Sequence, residues 1–335
     1  MTEKRVQTGG KLYLAGEYAV LTPGQAAVIA FIPIYMEANI QPAETYRLQS
    51  DMFDFAVDME PQADYALIQE SVELMEDFLR LKGKSIQPFH LDISGKFERD
   101  GKKFGIGSSG SVVLLTIKAM AALYEQKLTA DQLFRLATLV LIQRGDNGSM
   151  GDLACIAYEG LVYYQSFDRG KIAELAQDLP LQTVLEQDWG YVIDPIKPSL
   201  SYDFLVGWTQ EPAISRDLVN QVKSAISESF LIATQQAVKG LKEGLESGKV
   251  ELVKTSLASA SQLLSDLSPA IYTKKLAQLK AAAEGLNVIA KSSGAGGGDC
   301  GIALAFDEES CWKVLQGWEK AEITLLYRER KDGHE

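Results

Sequence analysis

Phe104-Gly105-Ile106-Gly107-Ser108-Ser109-Gly110-Ser111 runs directly into Val112-Val113-Leu114-Leu115-Thr116-Ile117, an apolar stretch that reads as a buried helix. Three glycines alternating with hydroxyls at the head of a helix leave backbone N–H groups unpaired. They also place the positive end of the helix dipole at one spot, which suits a phosphate. Residues 105–110 formally match G-x-G-x-x-G as well. A dinucleotide fold, however, needs a hydrophobic strand entering the first glycine, and here the chain arrives through Glu98-Arg99-Asp100-Gly101-Lys102-Lys103, a charged loop. Gly83-Lys84-Ser85 is no Walker loop, because position 78, five residues before Gly83, is Phe78 and a helix precedes the motif instead of following it. Neither Ser108, Ser109 nor Ser149 sits in a G-x-S-x-G frame, and the two histidines, His90 and His334, offer no serine nucleophile a partner.

Composition narrows the class further. At 335 residues the chain is long enough for two domains with a sizeable core, and 46% hydrophobic against 23% charged residues is typical of a globular enzyme. A formal net charge of −12 argues against nucleic acid or an anionic membrane as partner, so any phosphate site must be local. No stretch approaches the ~18 apolar residues of a membrane span, and the N-terminal residues lack a signal-peptide core. A cytoplasmic location is expected. Cys155, Cys300 and Cys311 are odd in number and far apart, which predicts reduced, buried thiols.

Around the glycine loop the elements fall into order. Lys11–Tyr18 alternates as a strand that breaks at Gly16, and Ala26–Ile40 is a long β run interrupted by Pro33. Short strands are expected at Tyr46–Leu48 and Phe53–Val57, an amphipathic helix at Asp64–Lys82 closed by Gly83, and a strand at Phe89–Ile93. Thr129 and Gln132 form a capping box that opens a helix through Gln143. A second polar glycine loop, Arg144–Asp152, leads into Ala154–Phe167, read as paired strands around Glu159-Gly160. Periodicity fades after Leu175, and the prolines of Asp194–Ser199 mark a connector, so residues 1–187 and 188–335 are expected to be separate domains. The second begins with a strand at Tyr202–Thr209. Helices near Ser215–Lys239, Lys249–Leu267 and Thr273–Glu284 follow. A strand at Leu286–Lys291 enters the loop Ser292–Gly301, Ile302–Phe306 leaves it, and a helix around Cys311–Ala321 and a strand at Ile323–Tyr327 close the chain.

Three stretches in order, G-K-L-Y-L-A-G-E-Y-A-V-L from Gly10, G-I-G-S-S-G-S from Gly105 and S-G-A-G-G-G-D-C-G-I from Ser293, resemble the three motifs of the GHMP kinases. These are small-molecule kinases that include galactokinase, homoserine kinase and mevalonate kinase. The resemblance implies an α+β fold of two domains, the first like domain 2 of ribosomal protein S5 and the second ferredoxin-like, with the active site between them. It also implies ATP as co-substrate and Mg²⁺ as cofactor. The G-E-Y-A-V-L and G-A-G-G-G-D-C-G forms look most like the mevalonate-pathway members whose acceptor already carries a phosphate. Kinases of the unphosphorylated alcohol, the decarboxylase of the same pathway, and a non-catalytic ligand sensor on this fold are the competing readings. Oligomeric state is not legible.

By that resemblance Gly105, Ile106, Gly107, Ser108, Ser109, Gly110 and Ser111 wrap the ATP phosphates, with Ser109 favoured as metal ligand; otherwise this is an ordinary helix start with serine caps. Lys11 matches a lysine near the transferred phosphoryl, where a fixed ammonium offsets developing charge; its alternative is a solvated lysine on a strand. Asp152, three residues after Ser149, matches S-x-x-D. A phosphate acceptor with a second pKa of ~6 needs no base at pH 7, so Asp152 is expected to partner the metal or Lys11, and otherwise to cap a turn. Lys11 and Asp152 are the catalytic pair. The substrate contacts are Lys11, Tyr18, Lys103, Ser149, Ser215, Arg216, Ser293 and Gly294. Lys102, Arg144, Lys197 and Lys291 are further cations able to offset substrate charge, while Asp299 and Cys300 read as structural. Leu136–Gln143 lacks the glutamate that many mevalonate kinases use as a second metal ligand, so Mg²⁺ should be held mainly by phosphates, one serine and waters.

Overall fold

A computed structural model describes residues 2–213 and 222–333. The long first strands dominate its first sheet. β1 (Lys4–Ala15) pairs antiparallel with β2 (Ala26–Pro42), and the register slips between Thr8↔Met36 and Gly10↔Ile32. Pro33 lies in that slip, where its missing N–H interrupts no ladder. The other edge of β2 takes β4 (Phe89–Ser94) along residues 37–42 and β7 (Val162–Gln165) along 26–29. β3 (Arg47–Ser50) adds parallel to β4, and β8 (Val192–Pro195) adds antiparallel to β7. Of the second expected short strand only Val57 remains, bridged to Leu48.

α2 (Ser108–Leu123) packs against this sheet, and α1 (Ala66–Leu81) and α3 (Ala130–Gln143) pack against α2. Leu114, Leu115, Ile117 and Met120 of α2 are fully buried, as an apolar helix surrounded by protein requires. Thr129 and Gln132 make the complete reciprocal capping box. The charged stretch before the glycine loop is a small hairpin, β5 (Glu98–Arg99) with β6 (Lys102–Lys103).

Residues 154–158 do not form a strand. They belong to α4 (Gly151–Tyr158), and only β7 follows. A short apolar run carries no period that separates helix from strand, and here small residues decide: a Cβ at Gly151 would lie 2.7 Å from the Tyr13 hydroxyl, so the helix start is wedged against β1. The fading period after Leu175 conceals α5 (Arg169–Asp178) and α6 (Leu181–Glu186), each burying one side chain, Ile172 and Val184. β8 lies beyond residue 187 yet still pairs with β7, so the change of sheet comes between Pro195 and Tyr202.

The second sheet has the order β10 (Val288–Ser292), β11 (Cys300–Ala305), β9 (Tyr202–Trp208), β12 (Thr324–Lys331), all antiparallel. With helices between β9 and β10 and between β11 and β12, this is the ferredoxin-like order. Those helices are α7 (Glu228–Ser247), α8 (Val250–Leu267), α9 (Lys274–Ala281) and α10 (Glu308–Lys320). α7 continues past the expected end at Lys239 because Gly240 and Gly244 are packing positions: added Cβ atoms would sit 2.5 Å from Ser256 Oγ and 2.9 Å from Val253. The stop is Gly248, at φ +72. One apolar cluster runs from Leu12 and Val28 through Phe134 and Ile156 to Val206, Val238 and Ile302, so both halves share a core. All three cysteines are free and buried. No helix among the described residues is long and apolar enough to cross a membrane.

Candidate active site

Between the two sheets lies a cleft of ≈ 200 Å³ whose lining includes Lys11, Tyr18, Gly105, Ser149, Ser293 and Asp299. Residues from all three glycine-bearing motifs therefore meet in one place.

The glycine loop is fastened from several sides. The Lys11 N–H donates to the Ile106 carbonyl at 2.8 Å, and the Cys300 thiol to the Phe104 carbonyl at 3.1 Å. The Trp208 indole donates to the Lys103 carbonyl at 3.2 Å, with the Phe104 ring set edge-on against it. Ser111 is a correction to the expected nucleotide contacts: it is fully buried, and its hydroxyl donates to the Gly9 and Gly107 carbonyls. It anchors the loop and leaves nothing for a ligand. Ile106 is buried too, so only its backbone can contribute. The open face consists of Gly105, Ser108 and the exposed Ser109. Gly105 (φ +75) and Gly107 (φ +91) hold left-handed conformations that only glycine adopts freely. Gly107 is the N-cap of α2 and provides no side-chain cap, so the first-turn N–H groups are left for an anion.

Lys11 crosses this loop. A Cβ on Gly107 would stand 3.0 Å from Lys11 Cε, and the ammonium lies 5.2 Å from the centre of the Tyr13 ring. Among the described residues Lys11 Nζ has no carboxylate within ion-pair distance. Asp152 occupies the first turn of α4, its carboxylate 3.0 Å from where a Gly110 Cβ would be. Burial pushes the Asp152 carboxyl above the usual range, while Lys11 and the N–H groups of Leu153 and Asp152 pull it back. Ser149 bonds the Tyr13 hydroxyl at 3.0 Å, accepts the Gly151 N–H at 3.2 Å, and its carbonyl takes the Tyr164 hydroxyl at 2.5 Å. It braces the start of α4.

On the opposite wall Ser293 donates to the Tyr13 carbonyl at 2.8 Å, and Tyr18 donates to the Ala295 carbonyl at 2.5 Å. Gly294, at φ +74, has open space where a side chain would go. Lys103 is exposed on the rim hairpin. Lys291 is not a cleft cation: it is fully buried and paired with Glu17 at 2.5 Å. Arg144 pairs with Glu70, and Lys197 is on the surface. Ser215 and Arg216 lie outside the described residues.

Asp299 is the residue that motif reading undervalued. It does fix a turn, accepting the Ala213 N–H at 3.1 Å, but it also lines the cleft, and its carboxylate would be 2.3 Å from a Gly105 Cβ. Burial raises its pKa against the pull of Lys11 and Lys103. Its position after three glycines was the one available signal.

Residues 66–160 match the family model described as "GHMP kinases N terminal domain". Over 95% of its length the chain is 32% identical to the phosphomevalonate kinase of Streptomyces sp. (strain CL190), covering 94% of that protein. The chain belongs to the GHMP kinases. Among solved members, Streptococcus pneumoniae phosphomevalonate kinase in complex with phosphomevalonate and AMPPNP superposes with a TM-score of 0.97 at 55% identity, over 98% of this chain and all of that one. The Methanococcus jannaschii mevalonate kinase shares the GHMP fold, with a TM-score of 0.75 at 20% identity over the whole of this chain and 99% of its own.

Proposed function

We propose that the chain transfers the γ-phosphoryl of ATP to the phosphate of (R)-5-phosphomevalonate, giving 5-diphosphomevalonate and ADP. The observation that carries this is the placing of Lys11 across an uncapped, glycine-built helix start, in a chain 55% identical to a kinase solved with those two ligands bound. The open N–H groups at Gly105–Gly110 suit the ATP phosphates. An oxygen of the acceptor phosphate attacks the γ-phosphorus, the bond to the β,γ-bridging oxygen breaks, and ADP leaves. The acceptor is already largely ionised at pH 7, so no side chain has to remove a proton. Lys11 instead offsets charge on the transferring group, which is the main protein contribution to such reactions.

The donors fit Mg²⁺: exposed Ser109 and the Asp152 carboxylate lie on neighbouring first turns, and both are hard oxygen ligands. Among the described residues no cluster of three or more acidic, histidine or cysteine side chains forms a metal cage, which suits an ion held largely by substrate phosphates and water. When bound, Mg²⁺ would neutralise charge on the nucleotide phosphates. The change of sheet between Pro195 and Tyr202 falls between the phosphate loop and the glycine loop at Ser292–Gly301. Dependence on ATP and three unpaired thiols fit a cytoplasmic enzyme.

A coupled ADP-release assay run in parallel on mevalonate, 5-phosphomevalonate and 5-diphosphomevalonate tests the reading. Turnover on 5-phosphomevalonate is expected. Turnover confined to mevalonate would reassign the acceptor, and nucleotide binding without turnover on all three would make the chain a sensor.

A further inference from the structure

The turn that ends β1 is strained. Tyr18 has φ +62 and ψ −48, and the Ala19 N–H donates to the Glu17 carbonyl at 2.7 Å. That is a γ-turn of the positive-φ kind, which a residue with a side chain seldom adopts. Gly16 just before it stands at φ +99, where a Cβ would be 2.5 Å from the Ala26 carbonyl. A strained backbone persists only when its surroundings over-determine it.

Contacts from the far end of the chain do so. The Tyr18 hydroxyl is bound by the Ala295 carbonyl at 2.5 Å. The Glu17 carboxylate, 4% exposed, pairs at 2.5 Å with Lys291, which is 0% exposed and also donates to the Ser292 carbonyl at 2.6 Å. Beside them runs the bond from Ser293 to the Tyr13 carbonyl at 2.8 Å. The end of β1 and the turn after it, residues 13–18, are thus held to the end of β10 and the loop after it, residues 291–295. The bland account of Lys291–Glu17 is core stabilisation, but desolvation cancels most of the attraction in a buried pair, and apolar side chains would serve the fold as well. What such a pair supplies is fixed geometry, and Glu17, Tyr18 and Ser293–Gly296 all line the cleft that contains Lys11.

We propose that Glu17, Tyr18 and Lys291 form a positioning clamp: the ion pair and the Tyr18–Ala295 bond hold the strained turn against the 292–296 loop and so set the acceptor wall of the cleft relative to Lys11. The proposal rests on the phosphoryl-transfer reading above. In it the Tyr18 hydroxyl is spent on Ala295 and donates nothing to substrate. The nucleotide loop has its own anchors at Lys11, Ser111 and Cys300. Loss of the clamp therefore acts on the acceptor and spares the nucleotide.

The test uses the full chain in two forms: Tyr18→Phe, which removes one oxygen, and Glu17→Gln with Lys291→Met, which leaves no buried charge unpaired. KM for 5-phosphomevalonate should rise about tenfold or more in both, with the Kd of a non-hydrolysable ATP analogue unchanged. Amide exchange across residues 292–297 should accelerate about tenfold. Wild-type acceptor KM together with unchanged exchange in both forms overturns the clamp. If the double variant fails to fold, Tyr18→Phe decides alone. If the wild-type protein does not turn over 5-phosphomevalonate, the functional reading falls, and exchange at 292–297 still decides the clamp.

Discussion

Lys11 donates its backbone N–H to the carbonyl oxygen of Ile106 at 2.8 Å. This bond fastens a strand of the first sheet to the glycine loop, so the ammonium and the N–H groups it works beside are positioned by one rigid connection. Preorganised charge of this kind is worth most where charge develops in the transition state. Lys11→Ala should keep the backbone bond and lose the ammonium. We expect kcat to fall at least about a hundredfold, roughly 3 kcal/mol of transition-state stabilisation, while the melting temperature stays near that of the wild type. Steady-state rates beside a thermal melt check it.

Gly107 tests the loop itself. At φ +91 and with Lys11 Cε 3.0 Å from the position of a Cβ, Gly107→Ala meets both backbone strain and a displaced lysine. Strain of this type costs about 1–2 kcal/mol. The kcat/KM for ATP should fall about tenfold or more, which a titration of ATP at saturating acceptor measures.

Asp152 adds to the acid limit that the acceptor phosphate imposes. Burial raises its carboxyl above the usual range, so activity should decline on the acid side at a pH higher than an ordinary aspartate would give. Asp152→Asn should cost about a hundredfold in kcat and leave only the acid limb of the acceptor monoester, whose second pKa is ~6. Stability moves the other way. A carboxyl whose folded pKa is raised contributes stability below its unfolded pKa, and that contribution is lost as pH rises through the folded value. The asparagine variant should therefore melt higher than the wild type at pH 8, with the difference closing on acidification. A kcat profile and melts across pH check both signs.

Thr129→Ala is the structural control. It breaks the capping box at the start of α3, a helix with no residue in the lining of the cleft, and should cost about 1 kcal/mol of stability with kcat unchanged. Denaturant unfolding and one rate measurement suffice.

What the sequence disclosed follows from which forces are local. The Thr129–Gln132 box, the α1 stripe and the alternation at Phe89–Ile93 each report contacts within a few residues, and all stand as read. The apolar run of α4 has no period to separate helix from strand, and its helical state is set by contact with Tyr13 of β1. α5 and α6 stayed hidden because each buries a single side chain. At the site, the motif residues Lys11, the open part of the glycine loop, Asp152 and Ser293 are gathered by the fold around or beside one cleft. Their spacing in the chain said nothing of Lys291. Its partner Glu17 is 274 residues away, so a free cation in the sequence is a neutralised one in the structure. Ser111 reads as the last N–H of the phosphate loop, but the first turn of α2 returns that N–H to the Gly107 carbonyl at 3.1 Å and turns the hydroxyl inward to Gly9.

The most direct measurement is ³¹P NMR of the wild-type protein with ATP, Mg²⁺ and 5-phosphomevalonate. The account predicts that the ATP γ-phosphate signal and the acceptor monoester signal disappear together, replaced in equal amounts by those of ADP and a new diphosphate ester. Loss of the γ-phosphate to inorganic phosphate, or an acceptor signal that never changes, would contradict it.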